Sequence, residues 1–236
     1  MLQVPGADRS LLLPKGEQTA MRERIKSLAL DLLIQHGYRG VSFGDMAETL
    51  GTTRANIHYH FGNKQTLVEE VLEDYVEVTL AALKEIWTTP GLPLARKIKT
   101  MVEYSRKRYA KYNPPGTKGR PWSLIARMRQ DSDALTPKGR ASLQRFGREL
   151  YSCLVLAIED AKFRKEFAAW MPVEDVALQL VSIANSAGPI TQDAGDFNRL
   201  EQLYAAFARI MNHAFGDEAA AKDRTSSYHR RPARRK

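Results

Sequence analysis

Arg54, Asn56, His58, Tyr59, His60 and Lys64 fall within one short stretch, interleaved with Thr53, Ala55 and the apolar Ile57 and Phe61. These are side-chain types that read nucleic acid. An arginine pairs through two hydrogen bonds with guanine, and an asparagine does the same with adenine. Ala55 permits close approach and offers a methyl to thymine. Hydroxyls at helix starts, here Thr53 and the earlier Ser42, suit phosphate oxygens, as do the free N–H groups beside them. Tyr59, His60 and Lys64 add further phosphate-binding capacity. Two other chemistries compete for the same residues. A metal would need His58 and His60 to converge, but on a helix residues two apart diverge by roughly 160°. A plain solvated polar face is the other alternative. No Gly-rich phosphate loop, metal-ligand spacing or nucleophile–base arrangement stands anywhere in the chain, so no catalytic residue, cofactor or metal is expected. Asp131 and Asp133 read as solvated acids near a helix end.

To read bases these residues must lie on an exposed helix held at a fixed angle. The spacing supplies one. Ile57 and Phe61 are four apart and face inward, which turns Ala55 and Tyr59 directly outward, with Asn56 and His58 flanking them. Ser42, followed three residues later by Asp45, starts a helix that carries Met46, Ala47 and Leu50 and stops at Gly51. Thr53 caps the next. Ala47 is small enough for a close crossing, Gly51 tolerates positive φ in the turn, and Ile57 anchors the second helix. These roles at these spacings describe a helix-turn-helix over about 42–61. On spacing alone, a generic corner in an all-α protein has the same pattern.

The run TTRANIHYHFGNKQTLVEEVL (52–72) resembles the recognition helix and following turn of TetR-family repressors, and GYRGVSFGDMAETLG (37–51) resembles the helices before it. The matching positions are Thr53 as cap; Arg54, Ala55 and Asn56 as the base-reading stretch; Ile57 as anchor; His58, Tyr59 and His60; Phe61; Gly62-Asn63 as turn; and Lys64. Thr52 departs from the family, which places an apolar residue there. The resemblance covers about residues 20–70. It implies a DNA-binding regulator with a helical effector body, whose last two helices form a dimeric four-helix bundle.

The rest of the chain supports an all-α protein of about nine helices. Apolar residues recur at three and four over 18–36, 64–88, 93–112, 122–130, 136–161, 172–188 and 196–215, and no period-two alternation appears. The expected stripe of the 64–88 helix is Val68, Val71, Leu72, Tyr75, Val78, Ala82 and Ile86. The expected division is a flexible arm (1–17), a helix-turn-helix domain (18–66), an effector-binding and dimerisation domain (67–216) and a basic tail (217–236). Met101, Tyr104, Trp122, Met128, Phe146 and Tyr151 are candidates to line an effector pocket; aromatic and Met residues at helical spacing also make ordinary core. The helices beginning at Pro172 and Asp196 are apolar on more than one side, so Val176, Leu180, Ala184, Leu203, Phe207 and Ile210 are candidates for a dimer interface.

Net charge is +9, with 36 Lys and Arg against 27 Asp and Glu. Five of the excess charges, Arg230, Arg231, Arg234, Arg235 and Lys236, sit in the tail, where they add affinity for an anion without specificity. Cys153 stands alone in an apolar stretch and reads as a small buried hydrophobe. No apolar run approaches the roughly 18 residues that span a bilayer, and the start lacks a signal-peptide pattern, which together imply a cytoplasmic protein. The expected partners are double-stranded operator DNA, a second copy of the chain and a small-molecule effector. The expected function is a repressor released from a palindromic operator by that effector. A constitutive DNA binder, or an all-α ligand carrier or enzyme with an incidental helix-turn-helix, is the alternative.

Overall fold

A computed structural model describes residues 15–216, so most of the expected arm and all of the basic tail lie outside the described residues. The regular structure among the described residues is helical: α1 (Lys15–His36), α2 (Phe43–Leu50), α3 (Arg54–Phe61), α4 (Lys64–Thr88), α5 (Leu94–Tyr112), α6 (Leu124–Gln130), a 3-10 turn (Ser132–Ala134), α7 (Pro137–Phe163), α8 (Val173–Ala194) and α9 (Asn198–Phe215). α1 starts within the expected arm, at Lys15. No helix among these residues is long and apolar enough to cross a membrane.

The chain divides into two compact units. Among the described residues, the first comprises 15–79 and Pro121–Phe146; the second comprises Leu80–Arg120 and 147–216. α4 and α7 therefore supply residues to both.

The first unit is built on the inward stripes of α1 to α4. Ile25, Ala29, Leu33, Met46, Ile57 and Leu72 are fully buried, with Phe61, Leu67 and Val68 nearly so. Removing each large side chain of this set from water contributes about 1.5–3 kcal/mol. α6 adds Leu124 and Met128, and Leu124 N–H donates to the Tyr75 hydroxyl at 3.2 Å. Glu73 of α4 accepts from Ser142 and from Arg145 of α7, the latter at 2.8 Å.

The observed stripe of α4 corrects the expected one. Leu67, Val71, Val76, Leu80, Leu83 and Trp87 are buried, while Val78 is 71% exposed. The buried set advances by threes and fours from Val68 and Leu72. Val78 lies six residues after Leu72, near 240° around the helix, and so falls on the opposite side.

In the second unit, Leu94, Ile98, Leu154, Ile158, Leu180, Leu200 and Tyr204 form the core. Its polar tie joins the start of α5 to the end of α7. The Lys97 side chain, 1% exposed, reaches Asp160 at 3.3 Å. Arg164 pairs with both Asp160 and Glu166, and Glu166 accepts the Leu94 N–H at 2.9 Å. The Asp160 carboxyl loses stabilisation to burial, but the Lys97 and Arg164 hydrogen bonds outweigh this and hold its pKa below the usual range. α8 runs through Gly188-Pro189, where the sequence pattern suggested a stop. A proline removes a single ladder donor. Three residues after Gly188, the buried Thr191 hydroxyl donates back to the Ala187 and Gly188 carbonyls, and the helix ends only at Gly195, in a left-handed conformation. Cys153 is buried, and burial pushes its thiol pKa up.

Candidate nucleic-acid interface

α2 and α3 are each eight residues long, too short to be stable alone, so their ends and their packing hold them. At the start of α2 the Ser42 hydroxyl accepts the Asp45 N–H at 3.2 Å. At its end Gly51 takes φ +64, Gly51 N–H donates to Glu48 and Thr52 N–H donates to Ala47 at 2.9 Å. This is the paired closure that a left-handed residue after a helix permits, and a side chain at 51 would strain it. Two residues later the Thr53 hydroxyl accepts the Asn56 N–H at 3.1 Å and opens α3. Gly51, the turn and Thr53 thus fix the crossing of the two helices, with Ala47 at 5% and Ile57 at 0% exposure between them. The His58 ring meets Phe43 of α2 edge-on at 4.8 Å and bonds the Gly62 carbonyl through Nδ1 at 2.8 Å.

The outward side of α3 carries Arg54, Ala55, His58 and Tyr59, all exposed, and Thr53 is exposed at its start. Ser42 and His60 are half-buried. His60 lies beside Tyr59 and Phe61. Burial lowers its pKa below the ordinary histidine value, and the charge of Arg22 lowers it further. Lys64, half-buried at the start of α4, sets its ammonium over the Tyr38 ring at 4.5 Å. Burial lowers its pKa, against the opposing pull of the Asp131 carboxylate. Asp131 in turn accepts the Tyr38 N–H at 2.8 Å, and Asp133 pairs with Arg39. Asp131 thus braces the α1–α2 connection and is not merely solvated, while the Asp133–Arg39 pair lies on the surface.

Asn56 stands apart from the other candidates. An amide that pairs with adenine must be exposed, but Asn56 is 1% exposed and its Nδ2 donates to the Thr52 hydroxyl at 2.9 Å. Its Oδ1 is buried without a hydrogen-bond partner. At 56 the helix still turns toward α2, one position before the Ile57 anchor, which is why its side chain points inward. Sequence reasoning missed this pair. Its signal was the polar Thr52 at a position expected to be apolar.

The six candidate pocket residues are all buried or half-buried. Trp122, Met128 and Phe146 are buried within the first unit; Met101 is buried and Tyr104 and Tyr151 half-buried within the second. Tyr104 accepts a hydrogen bond from Arg108 at 2.5 Å. The candidate interface residues also divide. Val176 and Leu180, 4% and 1% exposed, already belong to the core of their own chain and are not available to a partner. Ala184 and Phe207 are half-buried, and Leu203 and Ile210 are exposed, joined by an exposed Leu178 that the sequence reading omitted. No group of three or more His, Cys, Asp or Glu residues able to hold a metal occurs among the described residues.

Residues 25–71 match the family described as bacterial regulatory proteins, tetR family. Over 90 residues the chain is 35% identical to the HTH-type transcriptional regulator RutR of Escherichia coli, covering 37% of this chain and 42% of that protein. Over 81 residues it is 25% identical to the HTH-type transcriptional repressor KstR2 of Mycolicibacterium smegmatis, covering 34% and 40%. The matches thus span about two fifths of these relatives. The fold extends further. A TetR-family regulator from Agrobacterium tumefaciens superposes with a TM-score of 0.70 at 18% identity, over 84% of this chain and 99% of that one. A putative regulator from Saccharomonospora viridis, solved in complex with choline, does so with a TM-score of 0.67 at 22% identity, over 84% and 99%.

Proposed function

We propose that the chain, whose residues 25–71 match the tetR family of bacterial regulatory proteins, is a member of that family throughout: a homodimeric, sequence-specific DNA-binding repressor of the cytoplasm, released from a palindromic operator by a small molecule. The observation that carries the reading is the division of α3. Ile57 and Phe61 anchor it, while Arg54, Ala55, His58 and Tyr59 face outward from a helix whose first turn is fixed by Thr53. That is the arrangement a recognition helix needs in a major groove about 12 Å wide. Arg54 and Ala55 read base edges; Ser42, Thr53, Tyr59, His60 and Lys64 hold phosphate, the last with a charge braced by Tyr38. His58, tied to Phe43 and Gly62, offers a rigid edge beside them.

A two-fold protein presents two equivalent helices, so its operator repeats as a palindrome with half-sites roughly 34–36 Å apart. The exposed Leu178, Leu203 and Ile210 on α8 and α9 support a partner copy at that face. The choline complex of the Saccharomonospora viridis protein supports a small molecule as the effector, since it places one in a protein of this fold. An effector that couples to DNA by 1–3 kcal/mol changes operator affinity by about 5–150-fold, and operator weakens effector binding by the same factor.

The test is a mobility shift on the DNA upstream of the chain's own gene. The wild-type chain binds it in preference to random DNA. Arg54→Ala loses about 1–3 kcal/mol at its cognate base and retains non-specific affinity. Equal losses on specific and random DNA would remove Arg54 from the base-reading set.

A further inference from the structure

Gly44 occupies the second position of α2, where any helix-forming residue would strengthen so short an element. Its backbone does not require glycine, because it is absent from the residues of positive φ. Its neighbour explains it. A Cβ at position 44 would overlap Nη2 of Arg54 and come within 2.9 Å of Nε and 3.1 Å of Cζ. The guanidinium of the first outward residue of α3 therefore lies against the bare backbone of α2, while Arg54 as a whole remains exposed.

We infer that Gly44 is a positioning residue for base recognition: it keeps open the place on α2 in which Arg54 rests, and so sets the direction from which the guanidinium reaches DNA. The inference rests on the reading of α3 as a recognition helix. Both ends of the contact are fixed. Ser42 caps α2 two residues before Gly44, and Thr53 caps α3 directly before Arg54. Phe43 and His58 lock the two helices edge to face. Only the Arg54 side chain is left free to vary, and an arginine carries a large rotamer entropy that binding must otherwise remove. Holding it against Gly44 removes part of that freedom before DNA arrives, the same economy that preorganisation gives any binding group. A Cβ at 44 meets the far end of a flexible side chain, so it displaces Arg54 and leaves the fold intact.

The experiment compares wild type, Gly44→Ala, Gly44→Ser, Arg54→Ala and the double variant Gly44→Ala/Arg54→Ala. Sites are selected from random duplex DNA and melting is followed for each protein. Gly44→Ala is expected to melt at or above wild type. It should lose about tenfold in discrimination at the same base position that Arg54→Ala relaxes, and Gly44→Ser should behave alike. The double variant should lose no more than Arg54→Ala alone, since one displaced guanidinium accounts for both effects. An unchanged preference in Gly44→Ala, or losses that add in the double variant, would overturn the inference. So would a Gly44→Ala chain that melts below wild type even when Arg54 is also alanine, because the glycine would then serve the backbone. A wild-type chain that selects no sequence at all defeats the recognition-helix reading instead, and is distinguishable from these outcomes.

Discussion

Arg54 and Asn56 are two residues apart on one short helix, and the structure gives them opposite surroundings. Arg54 is exposed, and Asn56 is 1% exposed with its amide turned onto Thr52. Arg54→Ala is therefore expected to change which bases are preferred, whereas Asn56→Ala changes stability and leaves the preferred sequence as it was. The size of the stability effect is small, because the loss of the Thr52 bond, worth about 0.5–1.5 kcal/mol, is offset by removal of the buried, unpartnered Oδ1, whose burial costs about 1–3 kcal/mol. Selection from random DNA followed by a thermal melt checks both. A shifted consensus in Asn56→Ala would return that residue to the base-reading set. Lys64→Ala should weaken binding to every sequence alike and reduce the salt slope by about one, as expected for one phosphate contact. The inward Ile57 and Phe61 and the outward Ala55 and Tyr59 were legible from helical period alone. Asn56 was not, because residue type suggested a role that only the helix's rotation against α2 decides.

At the level of elements, caps and turns were the most legible features. Ser42 with Asp45, Gly51, and Thr53 stand in the structure in the roles their types suggest. Gly51→Ala is expected to cost about 1–2 kcal/mol, the price of a left-handed conformation with a Cβ, and to lower the melting temperature without altering the consensus. The course of α8 was not legible, because Pro189 is a stop signal in sequence, yet α8 continues past it to Ala194 and closes only at the left-handed Gly195. The α4 stripe was half legible. Its start at Val68 and Leu72 was read correctly, but Val78 was taken one face too far. The polar tie between α5 and α7 yields its own prediction. Lys97→Met keeps the buried stem and removes the charge, so it should be nearly neutral. Asp160→Asn leaves a buried ammonium with a weakened partner and should cost about 1–3 kcal/mol. Urea midpoints of the two variants decide it, and a Lys97→Met variant less stable than Asp160→Asn would show that the charge itself stabilises the unit.

For the whole molecule, the exposed apolar residues matter more than the buried ones. Leu203→Glu and Ile210→Glu are expected to convert a dimer to a folded monomer in ultracentrifugation and to reduce operator affinity together. Val176→Ala and Leu180→Ala should instead lower stability by about 0.5–5 kcal/mol without changing association, because both side chains lie in their own chain's core. A wild-type chain that sediments as a monomer at micromolar concentration, yet binds operator tightly, would contradict the dimer. Which apolar residues of α8 and α9 stay uncovered by their own chain was beyond the sequence, since helical period marks a residue as apolar on a face but not whether its own chain covers that face. The central claim is that α3 reads DNA sequence from a two-fold protein. It is tested most directly by selecting binding sites from random duplex DNA with the purified wild-type chain at fixed salt. The account predicts enrichment of a palindrome whose half-sites are centred about one helical turn, or a multiple of it, apart. Retention of DNA with no enriched sequence, or enrichment of a single unpaired half-site, would contradict it.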